Sequence, residues 1–260
     1  MQTPVPHWIE AGAGPRGIVL LHGVSGGALG FEALLPALAR PGWRALAWDM
    51  PGYGESAPLA DLDFDTLVDA LERLLDAAGL ERCVLVGHSF GGMIALQAAS
   101  RMPQRLEGLV LACSTPAFGA SSGAHQQAFL NQRLGALRQG ATLAEVAAQV
   151  VPPMLGPGSD PALVDQAVAL MARIPPASYE AALRALVQFD QRSQLPHIRM
   201  PTLVLAGSHD KVSTPLVMRR MAERLPLARY EELDAGHMAP FEEPGDFVLA
   251  VTQFCADLEN

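Results

Sequence analysis

Cys83-Val84-Leu85-Val86-Gly87-His88-Ser89-Phe90-Gly91-Gly92-Met93-Ile94-Ala95-Leu96 is the stretch on which the reading of the fold turns. Its first part is an apolar run of strand length, predicted as a strand over 82–87. Its last part has helical periodicity and predicts a helix over 89–102. Between them stands Gly87-His88-Ser89-Phe90-Gly91, which matches G-x-S-x-G in the setting that pattern requires, after a strand and before a helix. The physics explains the glycines. A serine on so tight a turn has strained backbone, a side chain at either flanking position would collide with neighbouring backbone, and the helix that follows aims its first N–H groups at the reacting centre. In a chain with 24 glycines such a pattern also arises by chance, so the strand–turn–helix context carries the weight.

Working outward, Gly17-Ile18-Val19-Leu20-Leu21 is apolar throughout, as a strand buried on both faces should be. A helix is predicted over 30–40, ended by Pro41-Gly42, then a strand over 44–48. Leu62, Leu67, Leu71, Leu74 and Leu75 recur at helical spacing and predict a helix over 63–78, with Gly79 as its stop. Another strand follows over 108–113. Strands alternating with longer helical stretches indicate an α/β chain with a mostly parallel central sheet flanked by helices. The rhythm breaks after Pro116, where four helices (124–139, 143–150, 161–172, 178–189) are separated by Pro- and Gly-containing turns with no convincing strand. It resumes with a strand over 202–206, a helix over 215–225, a short strand over 228–233 and a helix over 243–258. The expected organisation is a core built from 1–115 and 197–260, with 116–196 inserted as a helical cap over one edge of the sheet.

A serine hydroxyl is a weak nucleophile and needs a base, and the base needs something to hold it. In a strand–turn–helix arrangement of this kind the partners follow in the order serine, acid, histidine. Asp210 ends Ala206-Gly207-Ser208-His209-Asp210, just past the C-terminal end of a predicted strand, where open α/β sheets place ligand-contacting groups. His237 lies in Asp234-Ala235-Gly236-His237-Met238, after the last short strand and before the last helix. An isolated aspartate is usually a turn former, and an isolated histidine is usually surface or core. Three positions satisfying one template outweigh those readings, giving Ser89 as nucleophile, His237 as general base and Asp210 as orienting acid. Asp49 precedes the serine and reads as part of a loop-fixing segment, Asp49-Met50-Pro51-Gly52-Tyr53-Gly54-Glu55-Ser56. Asp234 reads as stabilising its turn, and His209 adjoins Asp210 too closely to face it productively. His7, His125 and His197 read as structural or surface residues. Donors for a developing oxyanion are expected from the backbone N–H of Phe90 and from that of Val24 in His22-Gly23-Val24-Ser25-Gly26-Gly27, with His22 holding this loop by hydrogen bonds.

Taken together, Leu21-His22-Gly23, Asp49 through Ser56, Gly-His-Ser-Phe-Gly-Gly, Gly-Ser-His-Asp and Ala-Gly-His-Met resemble the α/β-hydrolase superfamily over essentially the whole chain outside the cap. The compact size, the elbow and the four-helix cap resemble the carboxylesterase, 3-oxoadipate enol-lactonase and meta-cleavage-product hydrolase group. That resemblance implies hydrolysis of a small to medium ester or lactone with no cofactor and no metal. It leaves open C–C bond hydrolysis of a vinylogous diketone, a perhydrolase side activity, and a ligand receptor that retains the triad. It excludes relatives that carry a carboxylate at the elbow, because Ser89 cannot form their ester intermediate. It also implies a leading antiparallel hairpin, which the short sequence before Gly17 leaves reduced. Phe118, Phe129, Met154, Leu155, Met171 and Phe189 give the cap an apolar wall or its own core, while Arg133, Arg138, Arg173 and Arg184 are available to an anionic substrate.

Composition bounds the partners. Half the chain is hydrophobic and 17% is charged, which fits a globular protein. A net charge of −9 argues against nucleic acid or an anionic membrane as the main partner. The three cysteines, Cys83, Cys113 and Cys255, are too scattered for a disulfide framework or a zinc knuckle and read as structural. No run approaches the roughly 20 apolar residues of a membrane span, and the first ten residues show no basic-then-apolar block. The expected location is cytoplasmic and the expected partner a small molecule.

Overall fold

A computed structural model describes residues 4–119 and 123–259. Residues 1–3, 120–122 and 260, which fall within the stretches expected as core and cap, lie outside the described residues. The first half alternates strand and helix: β1 (Trp8–Gly12), β2 (Arg16–Leu21), α1 (Leu35–Leu38), β3 (Trp43–Trp48), α2 (Phe64–Ala77), β4 (Cys83–His88), α3 (Phe90–Arg101) and β5 (Leu106–Ala112). Four helices follow, α4 (Gly123–Arg138), α5 (Leu143–Val150), α6 (Pro161–Ala172) and α7 (Pro176–Leu186). The chain then returns to alternation with β6 (Thr202–Gly207), α8 (Pro215–Ala222), β7 (Ala228–Leu233), α9 (Ala239–Glu242) and α10 (Pro244–Asp257).

The strands form one seven-stranded sheet in the order β1-β3-β2-β4-β5-β6-β7. Only β1 runs antiparallel, against β3, with Trp8 opposite Trp48. β2, β4, β5 and β6 are almost wholly buried, and alternate residues feed two cores. Ile18, Leu20, Val84, Val86, Leu203 and Leu205 face α1 and α10, packing with Leu38, Phe247 and Phe254. Val19, Leu21, Leu85, Leu109, Leu111 and Val204 face α2, α3 and α8 and merge with the apolar interior of the four inserted helices. All three cysteines are buried and free within these cores.

Local chemistry sets the helix starts. Asp63 accepts from the Thr66 N–H at 2.8 Å while Thr66 Oγ1 accepts from the Asp63 N–H at 3.0 Å, a reciprocal cap for α2. Thr142 and Glu145 cap α5 in the same way. The predicted helix over 30–40 is corrected: a 3-10 turn at Ala28–Phe31 and the single turn α1 replace it. Pro36 is the reason. It lacks an N–H and clashes with the preceding turn, so a helix can begin there but not run through it.

The topology fixes where a ligand can sit. After β2 the chain moves outward to β3, then returns past β2 to β4, so the loops after β2 and β4 diverge at neighbouring strand ends and leave a crevice. The inserted helices begin and end beside one another: Ala117 bridges Asp190, Phe118 N–H donates to Phe189 O at 2.9 Å, and Gln191 N–H donates to Pro116 O at 2.8 Å. No helix among the described residues is long and apolar enough to cross a membrane.

Candidate active site

Ser89 follows β4 and caps α3 with φ 53° and ψ −116°, a left-handed backbone that a non-glycine residue rarely adopts. The turn is held from outside, by Ser89 N–H donating to Ala112 O at 2.9 Å and by Ser114 Oγ–H donating to Ser89 O at 2.7 Å. It also depends on the flanking glycines. A Cβ at Gly91 would overlap the Leu21 carbonyl, and one at Gly87 would overlap the backbone of Gly91 and Gly92. Close packing of the elbow against β2 is what brings Ser89 to the crevice.

Asp210 and His237 arrive from the loops after β6 and β7. His237 Nε2 lies 2.9 Å from Ser89 Oγ, and His237 Nδ1 lies 2.8 Å from Asp210 Oδ2. The sense of these bonds follows from the ionised carboxylate: Nδ1–H donates to Asp210, which leaves the Nε2 lone pair to accept the Ser89 proton. Asp210 Oδ1 is occupied by the N–H groups of Val212 at 2.7 Å and Ser213 at 2.9 Å. Burial is the largest single influence on Asp210 and pushes its pKa up. The hydrogen bond and charge of His237, with the two amides, together outweigh it and hold the carboxyl below its usual range. All three residues named from the sequence therefore meet in one hydrogen-bonded line.

The loop after β2 faces the same hydroxyl. Gly26 N–H donates to Gly23 O at 3.0 Å, closing a tight turn around Val24. His22 Nδ1–H donates to Gly23 O at 2.8 Å, and His22 Nε2 accepts from Met50 N–H at 3.0 Å. Acceptance at Nε2 requires the neutral ring, consistent with burial pulling the His22 pKa down against the opposing pull of the Gly23 carbonyl and Asp49. Neither the Val24 N–H nor the Phe90 N–H donates to a partner among the described residues, so both remain available to a ligand oxygen. Asp49 behaves as read: Oδ1 accepts from Ala28 N–H at 2.9 Å and Oδ2 lies 2.8 Å from His7 Nδ1, pinning loops together. His209 Nε2 lies 2.9 Å from Asp234 Oδ1 and is engaged away from Ser89.

Ser89 Oγ, the His237 ring and the Asp210 carboxylate thus stand in one hydrogen-bonded line, with the undonated Val24 and Phe90 amides on the adjoining turns. The family model of the alpha/beta hydrolase fold matches residues 18–244. The chain belongs to that family. The hydrolase is 34% identical over 260 residues to polyketide synthase ThaQ of Burkholderia thailandensis, covering 95% of this chain but spanning only 12% of that protein's length. It is 32% identical over 255 residues to the pimeloyl-[acyl-carrier protein] methyl ester esterase of Photobacterium profundum, covering 95% of this chain and 97% of that one. A crystal structure of a hydrolase from Pseudomonas aeruginosa superimposes with a TM-score of 0.85 at 28% identity, covering 95% of this chain and 93% of the other.

Sequence reasoning missed four supports of this site. Tyr53 donates its hydroxyl to Val24 O at 3.1 Å, tying down the loop that carries the free Val24 amide. His88 Nε2–H donates to His237 O at 2.7 Å. Burial and the neighbouring His237 hold the His88 pKa down to about 3, so it stays neutral and keeps that proton. Met154 O accepts from His237 N–H at 2.7 Å. Glu242 gathers four donors: Oε2 accepts from Gly156 N–H at 2.6 Å, Ser159 Oγ–H at 2.7 Å and Gly236 N–H at 3.1 Å, and Oε1 accepts from Met238 N–H at 3.0 Å. The peptides on both sides of His237 are thereby stapled to the inserted helices. Only His88 carried a local signal, as the variable position inside the elbow.

The inserted side chains divide. Met171 and Phe189 are core, at 0% and 4% exposure. Phe118, Phe129 and Met154 instead line cavities that reach Ser89, and Leu155 packs half-buried against the core. Arg138 and Arg184 are taken up by Glu180, whereas Arg133 and Arg173 face the cavities.

Proposed function

We propose that this hydrolase cleaves a small to medium carboxylic ester or lactone through an acyl-enzyme on Ser89. The observation that carries the reading is the continuous line from Ser89 Oγ through the His237 ring to Asp210, at 2.9 and 2.8 Å. His237, held in one tautomer by Asp210, takes the Ser89 proton as Oγ attacks the substrate carbonyl. The resulting oxyanion is received by the Val24 and Phe90 amides, a class of contact in which each donor is worth about 3–4 kcal/mol of barrier. His237 then returns the proton to the leaving oxygen. Water, deprotonated by the same ring, attacks the acyl-enzyme, releases the acid and restores Ser89.

In this reading residues 1–115 and 197–260 form the catalytic core, and 116–196 form a cap that walls the substrate cavity. Support for the division comes from the paired ends of the insert at Ala117 and Asp190. Kinship with an esterase that covers both chains almost end to end favours an ester as the bond cleaved.

The test is Ser89→Ala assayed on a panel of short-chain aryl esters and aliphatic lactones, with intact-protein mass measured after brief mixing. Wild type should gain the acyl mass and turn over. Ser89→Ala should do neither, losing at least about 10³-fold in kcat with its melting temperature preserved. Wild-type turnover by Ser89→Ala would end the proposal.

A further inference from the structure

Two cavities meet at Ser89, sharing Val24, Met154 and His237 as common wall. One, of about 440 Å³, runs between the loop after β2 and α6, where Leu163, Leu170 and Phe241 make it largely apolar. The other, of about 610 Å³, runs between the end of β5, α4, α7 and α8. Its lining holds four arginines, Arg133, Arg192, Arg220 and Arg224, and no carboxylate. In a chain of net charge −9 that is a local inversion of sign. Asp190 pairs with Arg192 and also feels the charge of Arg224, which donates to Arg192 O at 2.7 Å, but Arg133 and Arg220 form no ion pair among the described residues.

Tyr179 also lines this arm, with a residue exposure of 0%. Its neighbour is the Arg133 guanidinium, which can only donate to the phenol oxygen, and no acceptor among the described residues takes the phenol's own proton. A buried O–H without an acceptor is costly, and beside a guanidinium it suits an incoming anion. Burial pushes the Tyr179 pKa up, against the opposing pull of the nearby Arg133 guanidinium, so the phenol keeps its proton and acts as a donor. Arg133 is half-buried on α4, its guanidinium 5.4 Å from the centre of the Phe129 ring. Tyr179 also lies within electrostatic reach of Tyr53, whose hydroxyl touches the Val24 carbonyl. A donor and a cation thus line the same cavity as Val24 and Ser89.

We propose that this arm recognises a carboxylate carried by the substrate, with the Tyr179 hydroxyl and the Arg133 guanidinium as its direct partners. A neutral donor beside one guanidinium fork suits a planar carboxylate, and the remaining arginines draw the anion inward. The proposal rests on Ser89 being the nucleophile and narrows its substrates to half-esters of dicarboxylic acids, or esters whose alcohol bears the acid. Apolar Leu183, Leu186 and Phe118 exclude water around that contact.

Three aryl esters of matched size test it: a neutral one, one with a terminal carboxylate on the acyl chain, and one with a carboxylate on the leaving group. The quantity read is kcat/KM of each anionic ester divided by that of the neutral ester. Wild type should favour one anionic ester by 10-fold or more, and Tyr179→Phe and Arg133→Gln should each cut that ratio by about 10-fold, the usual size of a lost charge-assisted hydrogen bond. Arg184→Gln, whose side chain is engaged with Glu180, should leave the ratio unchanged. A wild-type ratio near one, or a ratio indifferent to both variants, overturns the inference while leaving Ser89 chemistry intact. Should no ester be turned over, calorimetry of glutarate on Ser89→Ala still decides. Binding weakened about 10-fold by each added substitution sustains the carboxylate site, and indifference to both removes it. Inorganic phosphate binding as tightly as glutarate, with the same dependence, would overturn the carboxylate assignment.

Discussion

Glu242→Gln is the substitution that most directly asks whether the inserted helices position the histidine. The two side chains have the same shape, but only one end of the amide can accept. Three of the four donors converge on Oε2, those of Gly156, Ser159 and Gly236, while Met238 N–H alone points to Oε1. The glutamine oxygen will therefore occupy the Oε2 position. Its NH₂ then faces the Met238 N–H, donor against donor, across a gap of 3.0 Å in the parent. One charge-assisted bond is lost and three are weakened, about 2–3 kcal/mol in all for a half-buried group. At about 2–4 °C per kcal/mol for a chain of this size, the melting temperature should fall by roughly 4–12 °C. Met238 and Gly236 flank His237, so the slack falls on the ring. A misplacement of about 1 Å in such a geometry costs on the order of 10²-fold, and kcat on an aryl ester at 25 °C should drop 10- to 100-fold with a much smaller change in KM. Steady-state kinetics and thermal melts on the same preparation measure both. A lowered melting temperature with kcat intact would refute the reasoning, since Glu242 would then hold the fold without orienting His237.

Tyr53→Phe removes one neutral hydrogen bond, to the Val24 carbonyl; it should cost about 1 kcal/mol of stability and lower kcat by roughly 5- to 10-fold with KM within twofold, and an unchanged kcat would show that the loop keeps its shape without Tyr53. His88 predicts a pH effect on stability. Its folded pKa of about 3 lies below the unfolded value of 6.5. The unfolded chain therefore binds a proton that the folded chain refuses, so the stability tied to neutral His88 is complete above pH 6.5 and is lost as pH falls toward 3. At pH 4.5 the loss amounts to ~3 kcal/mol. Urea melts from pH 7 to 4.5 should show a shallower decline for His88→Gln, which keeps a donor for the His237 carbonyl, and parallel declines would contradict the assignment.

The residues legible in the sequence are those whose role is written in their near neighbours. Ser89 is marked by the glycines that its turn requires and by the strand and helix on either side. Asp210 and His237 are marked by position, each a few residues past the end of a strand, and Val24 by the glycines around it. The strands were legible because burial on both faces leaves unbroken apolar runs, and α2 because its leucines repeat at helical spacing. The helix expected over 30–40 fails for an equally local reason: Pro36 lets a helix begin but not run through it. β1 has no such local mark, since none of Trp8–Gly12 is buried and the segment is a strand because β3 offers it a partner.

The supports of the site were hidden for a different reason. Met154 contributes a carbonyl oxygen, a group every residue has, so nothing about a methionine at that position announces that it receives the His237 N–H. Glu242 acts on peptide groups 86 residues upstream as well as on its own turn, and its sequence context is an ordinary helix end. In both cases a backbone group is one partner, and backbone chemistry is the same at every position along a chain. What identifies these contacts is that they converge: two inserted peptides and one carboxylate fix the single loop whose ring must meet Ser89 Oγ at hydrogen-bond distance. An insertion that served only to roof the cavity would have no need to grip that loop. The insert here lines the cavities and also grips that loop, so a substitution in 152–159 that shifts the Met154 carbonyl should slow turnover even on substrates too small to reach the inserted helices.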